Sequence, residues 1–138
     1  MIKMIQNWPD SAIIIMVDEE CRFSVQVEVY KKAEAKKQNH TDAYISQLFV
    51  QPKARKKGHA TRLMEEVESV CRKYHCHTIA VGYDPRNTKP FVQRWYERKG
   101  YRTEYYSAYG AQLMIKQIAP IRGRGKVTNS NNKQTSTL

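Results

Sequence analysis

The chain has 138 residues, enough for one domain with one modest core. Its 24 Lys and Arg against 13 Asp and Glu give a net charge of +11, which favours nucleic acid, an acidic partner or a polyanionic cofactor. No apolar run reaches transmembrane length, and residues 12–17 are too short and lack a cleavage pattern, so the sequence predicts a soluble, cytoplasmic protein with no membrane partner.

In chain order, Met1 to Asn7 is short and amphipathic, and Trp8-Pro9-Asp10 reads as a turn. Ser11 to Val17 is an apolar strand and Asp18-Glu19-Glu20 a charged turn. Arg22 to Tyr30 alternates with period two, so it is a strand with one wet face that forms a hairpin with the strand before it. Lys31 to Thr41 is a Lys-rich connection with a helical turn through Lys32 to Lys37. Tyr44 to Val50 is the next strand, followed by a tight polar connection from Gln51 to Lys57. A long helix then opens at Gly58. Its apolar residues Ala60, Leu63, Met64, Val67, Val70, Cys71 and Tyr74 follow i, i+3, i+4, i+7 for four turns and predict one core-facing stripe. Thr78 to Tyr83 is a buried strand, parallel to the Tyr44 strand through that helical crossover. After an Asp84 to Asn87 loop, Lys89 to Lys99 forms a second helix with Gly100 as its C-terminal cap. Arg102 to Ala108 and Ala111 to Ile118 are the last strands, turning at Tyr109-Gly110.

Residues 1–118 thus form the domain. From Ala119 on, polar residues dominate, and Arg122, Arg124, Lys126 and Lys133 carry four of the eleven net charges without any acid. That stretch is predicted to be a basic, disordered tail. The odd count of cysteines (Cys21, Cys71, Cys76) fits a reducing compartment. Cys71, His75, Cys76 and His77 cluster, but Cys71 lies on the apolar stripe and no second ligand pair has finger-like spacing, so no metal is expected.

The chemically loaded segment is the handover from the Tyr44 strand to the long helix. Arg55-Lys56-Lys57-Gly58-His59-Ala60 puts three cations and two small residues at a helix N-terminus, and the first carboxylate is Glu65, two turns in. That end of a helix has unpaired N–H groups and the positive pole of the macrodipole, which acidic side chains normally occupy. Cations crowd it instead, so the missing negative charge is expected from a ligand.

Val50-x-Pro52-x-x-Arg55-x-x-Gly58-x-Ala60 resembles motif A of the GNAT N-acetyltransferase superfamily: Gln or Arg, two residues, Gly, one residue, Gly or Ala. Phe91 to Tyr101 resembles the later helix of that family, which ends in aromatic-Tyr-x-x-x-Gly-aromatic, here Trp95-Tyr96 to Gly100-Tyr101. The likeness spans residues 43–118. It implies an α/β fold: a mixed, mostly antiparallel sheet with a central parallel pair, flanked by two main helices. It also implies acetyl-CoA as cosubstrate, its pyrophosphate wrapped by the amides of Arg55, Lys56, Lys57, Gly58, His59 and Ala60. Backbone N–H groups around Leu48, Phe49 and Val50 would face the oxyanion, and Tyr96 would protonate the leaving thiolate. Asn87 would be the asparagine that contacts the cofactor, although Lys89 occupies the usual spacing from Tyr96.

The resemblance also shows what is missing. A full domain of this kind begins with a strand and two helices that wall the acceptor site, whereas here a strand hairpin begins almost at once. The implied groove is open and suits a protein amine, a lysine or an N-terminus. Many relatives carry a basic Glu or His where this chain has Tyr44 and Ser46, neither competent at neutral pH. Asp42 and Asp84 are substitutes through water, or simply turn residues. The rival expectation is a catalytically silent GNAT-like binding protein that uses its basic surface. Nucleic acid would suit that surface, but no nucleic-acid-binding motif accompanies the charge.

Overall fold

The computed structural model describes residues 1–119, and the predicted basic tail lies outside the described residues from 120 onward. Seven strands form one sheet in the order β1-β2-β3-β4-β5-β7-β6. In chain order these are β1 (Ile2–Asn7), β2 (Ser11–Val17), β3 (Phe23–Tyr30), β4 (Ala43–Val50), β5 (Thr78–Tyr83), β6 (Arg102–Tyr106) and β7 (Gln112–Gln117). Among the described residues only β4 and β5 are parallel; all other pairs are antiparallel. The three α-helices are α1 (Ala33–Asn39), α2 (His59–Lys73) and α3 (Pro90–Arg98), with a 3-10 turn at Pro52–Ala54. The fold is the expected mixed α/β sheet with one central parallel pair.

The stripe read from sequence is the core side of α2. Leu63, Met64, Val67, Val70 and Cys71 are buried against Ala12, Ile14 and Met16 of β2, Val25 and Val27 of β3, and Ile79 and Val81 of β5. At about 25 cal/mol per Å2 of apolar area removed from water, such side chains contribute roughly 1.5–3 kcal/mol each. Both long helices cover the same face of the sheet. Lys116 and Gln112 point to one side of β7, and Lys116 Nζ donates to Glu68 of α2 (2.8 Å) while Gln93 of α3 donates to Gln112 (2.8 Å). Lys99 Nζ at the end of α3 ties back to Thr61 Oγ1 in the first turn of α2 (3.0 Å). On the other face, the short α1 ends at His40, whose ring stacks on Tyr105 of β6 (4.1 Å).

Several boundaries differ from the sequence reading, each for a local reason. Gly58 is the N-cap of α2, in the left-handed region (φ 81°), and the helix begins at His59. β6 stops at Tyr106 because Ser107 N bonds Ala111 O (2.8 Å), which makes the final turn longer than Tyr109-Gly110. Most consequentially, residues 2–7 are a strand. Every residue of β1 is exposed, so its alternation carries no burial signal that could have announced it. β1 joins β2 through Trp8-Pro9-Asp10 alone, which leaves no room for helices between them, as the truncated resemblance implied.

Candidate active site

The site is built where the parallel pair comes apart. β4 and β5 are in register only at Ala43–Ile79, Tyr44–Ala80 and Ile45–Val81, whereas β4 stays paired with β3 as far as Val50–Phe23. Beyond Ile45, the β5-facing backbone of Ser46 to Val50 therefore has no strand partner among the described residues. Leu48 and Val50 pack against the core and Phe49 projects to the opposite face, about half exposed (48%). The segment thus combines rigid anchoring with unpaired backbone groups, the arrangement that oxyanion stabilisation needs.

Immediately after this opening the chain makes its basic turn. Arg55 Nε donates to the Val50 carbonyl (3.1 Å), which pins the turn to the strand end, and Ala54 is buried beneath it. Lys56 and Gly58 are both left-handed (φ 65° and 81°), a tight winding of the kind that creates amide concavities for anions. α2 has no acid in its first turn, and among the described residues no side chain caps it, so its first amides have no side-chain acceptor there. Lys56, Lys57 and Gly58 are exposed. His59 has a different job: its ring stacks on Phe23 (4.3 Å) and it contacts Arg62. Burial, with the Arg62 charge adding to it, pushes the imidazole below its usual range, so it is a packing group at neutral pH.

Tyr96 lies on α3, half-buried against the core, with its ring 5.5 Å from Trp95 and 6.0 Å from Tyr101. Burial raises its pKa above that of a free phenol, and the nearby Tyr44 phenol pushes the same way. The hydroxyl therefore stays protonated through neutral and mildly alkaline pH, as a proton donor must. Asn87 sits in the loop between β5 and α3, where its amide donates to Asp84 Oδ2 (3.1 Å), and thus closes the loop.

On the opposite face lies an open cavity of about 450 Å3 lined by Tyr44, Gly82, Asp84, Thr88, Ser107 and Leu113, among others. Tyr44 reaches over Gly82 to fill part of its wall, and Tyr106 and Tyr109, both strongly exposed, lie in and beside the adjoining β6–β7 turn. The sequence reading counted Tyr44 only as a residue that cannot act as a base, and it gave no role to Gly82, Thr88 or Ser107. Strand alternation places Tyr44 away from the core, but nothing in the sequence brings Ser107 to it.

Both carboxylates weighed as bases are engaged in hydrogen bonds, Asp84 in the cavity wall and Asp42 at the start of β5. Asp84 accepts two side-chain hydrogen bonds from Arg86 (3.0 and 2.8 Å), and with the Arg86 and Asn87 contacts its pKa falls to about 2. Asp42 Oδ2 accepts the backbone N–H groups of His77 (2.6 Å) and Thr78 (3.2 Å), which anchors the start of β5. These bonds tie both carboxylates to the local backbone and loop.

The geometry is that of a known family. The family model for the acetyltransferase (GNAT) family matches residues 6–101. The chain belongs to the GNAT family. Among solved structures it is similar to Tetrahymena GCN5, with 16% identity and a TM-score of 0.60 over 83% of this chain and 72% of that one. The Arabidopsis thaliana NAA60 in complex with a bisubstrate analogue gives 17% identity and 0.58 over 78% and 75%. The PaiA N-acetyltransferase of Thermoplasma acidophilum in complex with coenzyme A gives 13% and 0.60 over 79% and 62%. No curated protein sequence matches the chain. At these identities the likeness to solved structures concerns the fold alone. Among the described residues no group of His, Cys, Asp or Glu is arranged to hold a metal, and no helix is long and apolar enough to cross a membrane.

Proposed function

We propose that this GNAT protein is an acetyl-CoA-dependent N-acetyltransferase whose acceptor is a protein amine. The observation that carries the reading is the splay of β4 from β5, flanked by an acid-free basic turn on one side and by the open cavity on the other. The turn from Arg55 to Ala60 offers amides and cations to a pyrophosphate, and left-handed Gly58 allows close backbone approach. The thioester supplies the activated acetyl group; the chain's own residues position it and move protons. The N–H groups of Leu48 and Val50, on the side of β4 turned away from β3, face the developing oxyanion, and preorganised donors of that kind are worth about 3–4 kcal/mol each. Tyr96, protonated at neutral pH, donates to the departing thiolate.

A protein acceptor follows from the shape of the other side. The cavity is open, and the β6–β7 turn that contributes Ser107 and Ala111 to it also carries the exposed Tyr106 and Tyr109, which give large contact area at small conformational cost. With Asp84 and Asp42 committed to turns, proton removal falls to water entering the cavity beside Tyr44. That shortage of a base is also the observation that favours the second reading, a GNAT scaffold that binds without catalysis. Incubation with acetyl-CoA and peptides bearing either a free α-amine or only lysine amines, followed by mass spectrometry, separates the two. Transfer of one acetyl group to either peptide supports the enzyme; cofactor binding without transfer to any peptide or protein acceptor supports the scaffold.

A further inference from the structure

The strand that the sequence hid has a property that the acetyl-transfer site does not use. β1 is the edge of the sheet, and its outer side has no neighbour among the described residues. Trp8 N donates to Ser11 O (2.8 Å), and β1 runs in unbroken antiparallel register with β2. Alternation then makes Ile2–Val17, Met4–Ile15 and Gln6–Ile13 the hydrogen-bonded pairs, so the N–H and C=O groups of Lys3, Ile5 and Asn7 point outward. The side chains are unprotected as well. Ile2, Met4 and Ile5 are each about half exposed (48%, 49% and 49%), on both faces of the strand.

Sheet edges left open in this way are normally blunted by charge, proline or bulges. The opposite edge obeys the rule: β6 carries Arg102 and Glu104 and is bulged between Thr103 and Tyr105. β1 has one lysine, no proline and no bulge. An apolar, flat edge on a highly charged protein is a pairing surface.

We infer that β1 pairs antiparallel with β1 of a second copy of this chain, which joins the two sheets across a two-fold axis. The register that fits is the one with Met4 opposite Met4. It sets Lys3 of each copy against Ile5 of the other, so those residues exchange their outward backbone hydrogen bonds, and it sets Ile2 against Gln6. No like charges then stand directly opposite, whereas a shift that centres the pair on Lys3 would oppose two lysines. The same register places Met1 opposite Asn7 of the second copy. Glu19 Oε2 lies 2.7 Å from the Met1 nitrogen, and Lys31 Nζ lies 3.1 Å from Asn7 Oδ1. An acidic and a basic side chain therefore meet at each end of the paired strands, twice by symmetry. This self-complementarity is what selects a second copy as the occupant.

A six-residue strand pair is smaller than the roughly 1,200–2,000 Å2 of a stable standard interface, so the dimer is concentration-dependent. The test is light scattering after size exclusion over a concentration series of the full chain. A mass rising toward twice the 16.2 kDa of the chain is expected. Met4→Lys puts like charges face to face at the axis without touching the core, and it should hold the protein at 16.2 kDa with an unchanged circular dichroism spectrum. Ile5→Pro, which removes an outward N–H and no internal strand bond, should do the same. A monomer at every concentration, or a dimer that survives both substitutions, would overturn the inference.

Discussion

The Tyr44 hydroxyl occupies the space that a side chain at position 82 would need: a Cβ on Gly82 would lie 2.7 Å from it. Tyr44 projects from β4 and Gly82 from the neighbouring β5, just where the parallel pair stops being hydrogen-bonded. The missing side chain therefore sets the position of a phenol in the cavity wall and links the strand splay to the cavity, the proposed acceptor side.

Gly82→Ala tests that link. The phenol must move, because the atom it would meet is its own oxygen at well under contact distance. Overpacking of this kind typically costs about 1–3 kcal/mol when a core cannot yield; here Tyr44 can swing outward, so stability should change little. The expected loss is in kcat/KM, by roughly ten-fold or more for about 1.4 kcal/mol of transition-state stabilisation, with acetyl-CoA affinity retained. An unchanged kcat/KM would remove Tyr44 from the acceptor side.

Tyr96→Phe keeps the ring against Trp95 and Tyr101 and deletes only the hydroxyl. Loss of a general acid lowers turnover by about 100-fold or more. Affinity for acetyl-CoA, measured by titration, should stay within about two-fold, since the ring's packing is intact. Equal loss of turnover and affinity would show that the hydroxyl serves binding instead.

Asp18 governs acid stability. Its buried carboxylate accepts Arg22 Nε (2.5 Å) and Nη2 (3.1 Å), and that contact lowers its pKa from 3.8 to about 2. A carboxylate depressed in the folded state stabilises above its unfolded pKa, and the contribution fades as pH falls through the folded value. Asp18→Asn should therefore lower the melting temperature at neutral pH, with the difference from wild type narrowing between about pH 4 and pH 2. A constant difference across that window would contradict the assignment.

Tyr101 is fully buried, and among the described residues its hydroxyl has no hydrogen-bond partner. Burial pushes its pKa far up, so it is neutral at all accessible pH. An unpaired buried hydroxyl costs about 1–3 kcal/mol, so Tyr101→Phe should leave the melting temperature unchanged or raise it by a few degrees. A clear fall in thermal unfolding would mean that the hydroxyl has a partner in solution.

What the sequence made legible was whatever burial or a turn writes into a periodic pattern. The α2 stripe from Leu63 to Cys71, the β3 alternation and the β4–α2–β5 crossover all follow from residues that must face the core. The acid-free turn at Gly58 was legible for a second reason, since cations at a helix N-terminus run against the helix's own electrostatics. β1 was not legible because a strand exposed on both faces needs no alternation. The cavity was not legible either. It depends on Ser107 and Gln112 arriving beside Tyr44 and Gly82, a contact set by the β5–β7 pairing across some thirty residues of chain. The role of Asp84 needed Arg86 to be seen gripping it.

The central claim is that the turn at Gly58 holds the pyrophosphate of acetyl-CoA, and calorimetric titration at low salt, with ATP as a polyanion control, tests it most directly. The account predicts binding of acetyl-CoA and not ATP, abolished in Gly58→Glu, where a left-handed backbone strained by roughly 1–2 kcal/mol and an added carboxylate both oppose the anion. Absence of acetyl-CoA binding by the folded protein, or unaltered affinity in Gly58→Glu, would contradict it.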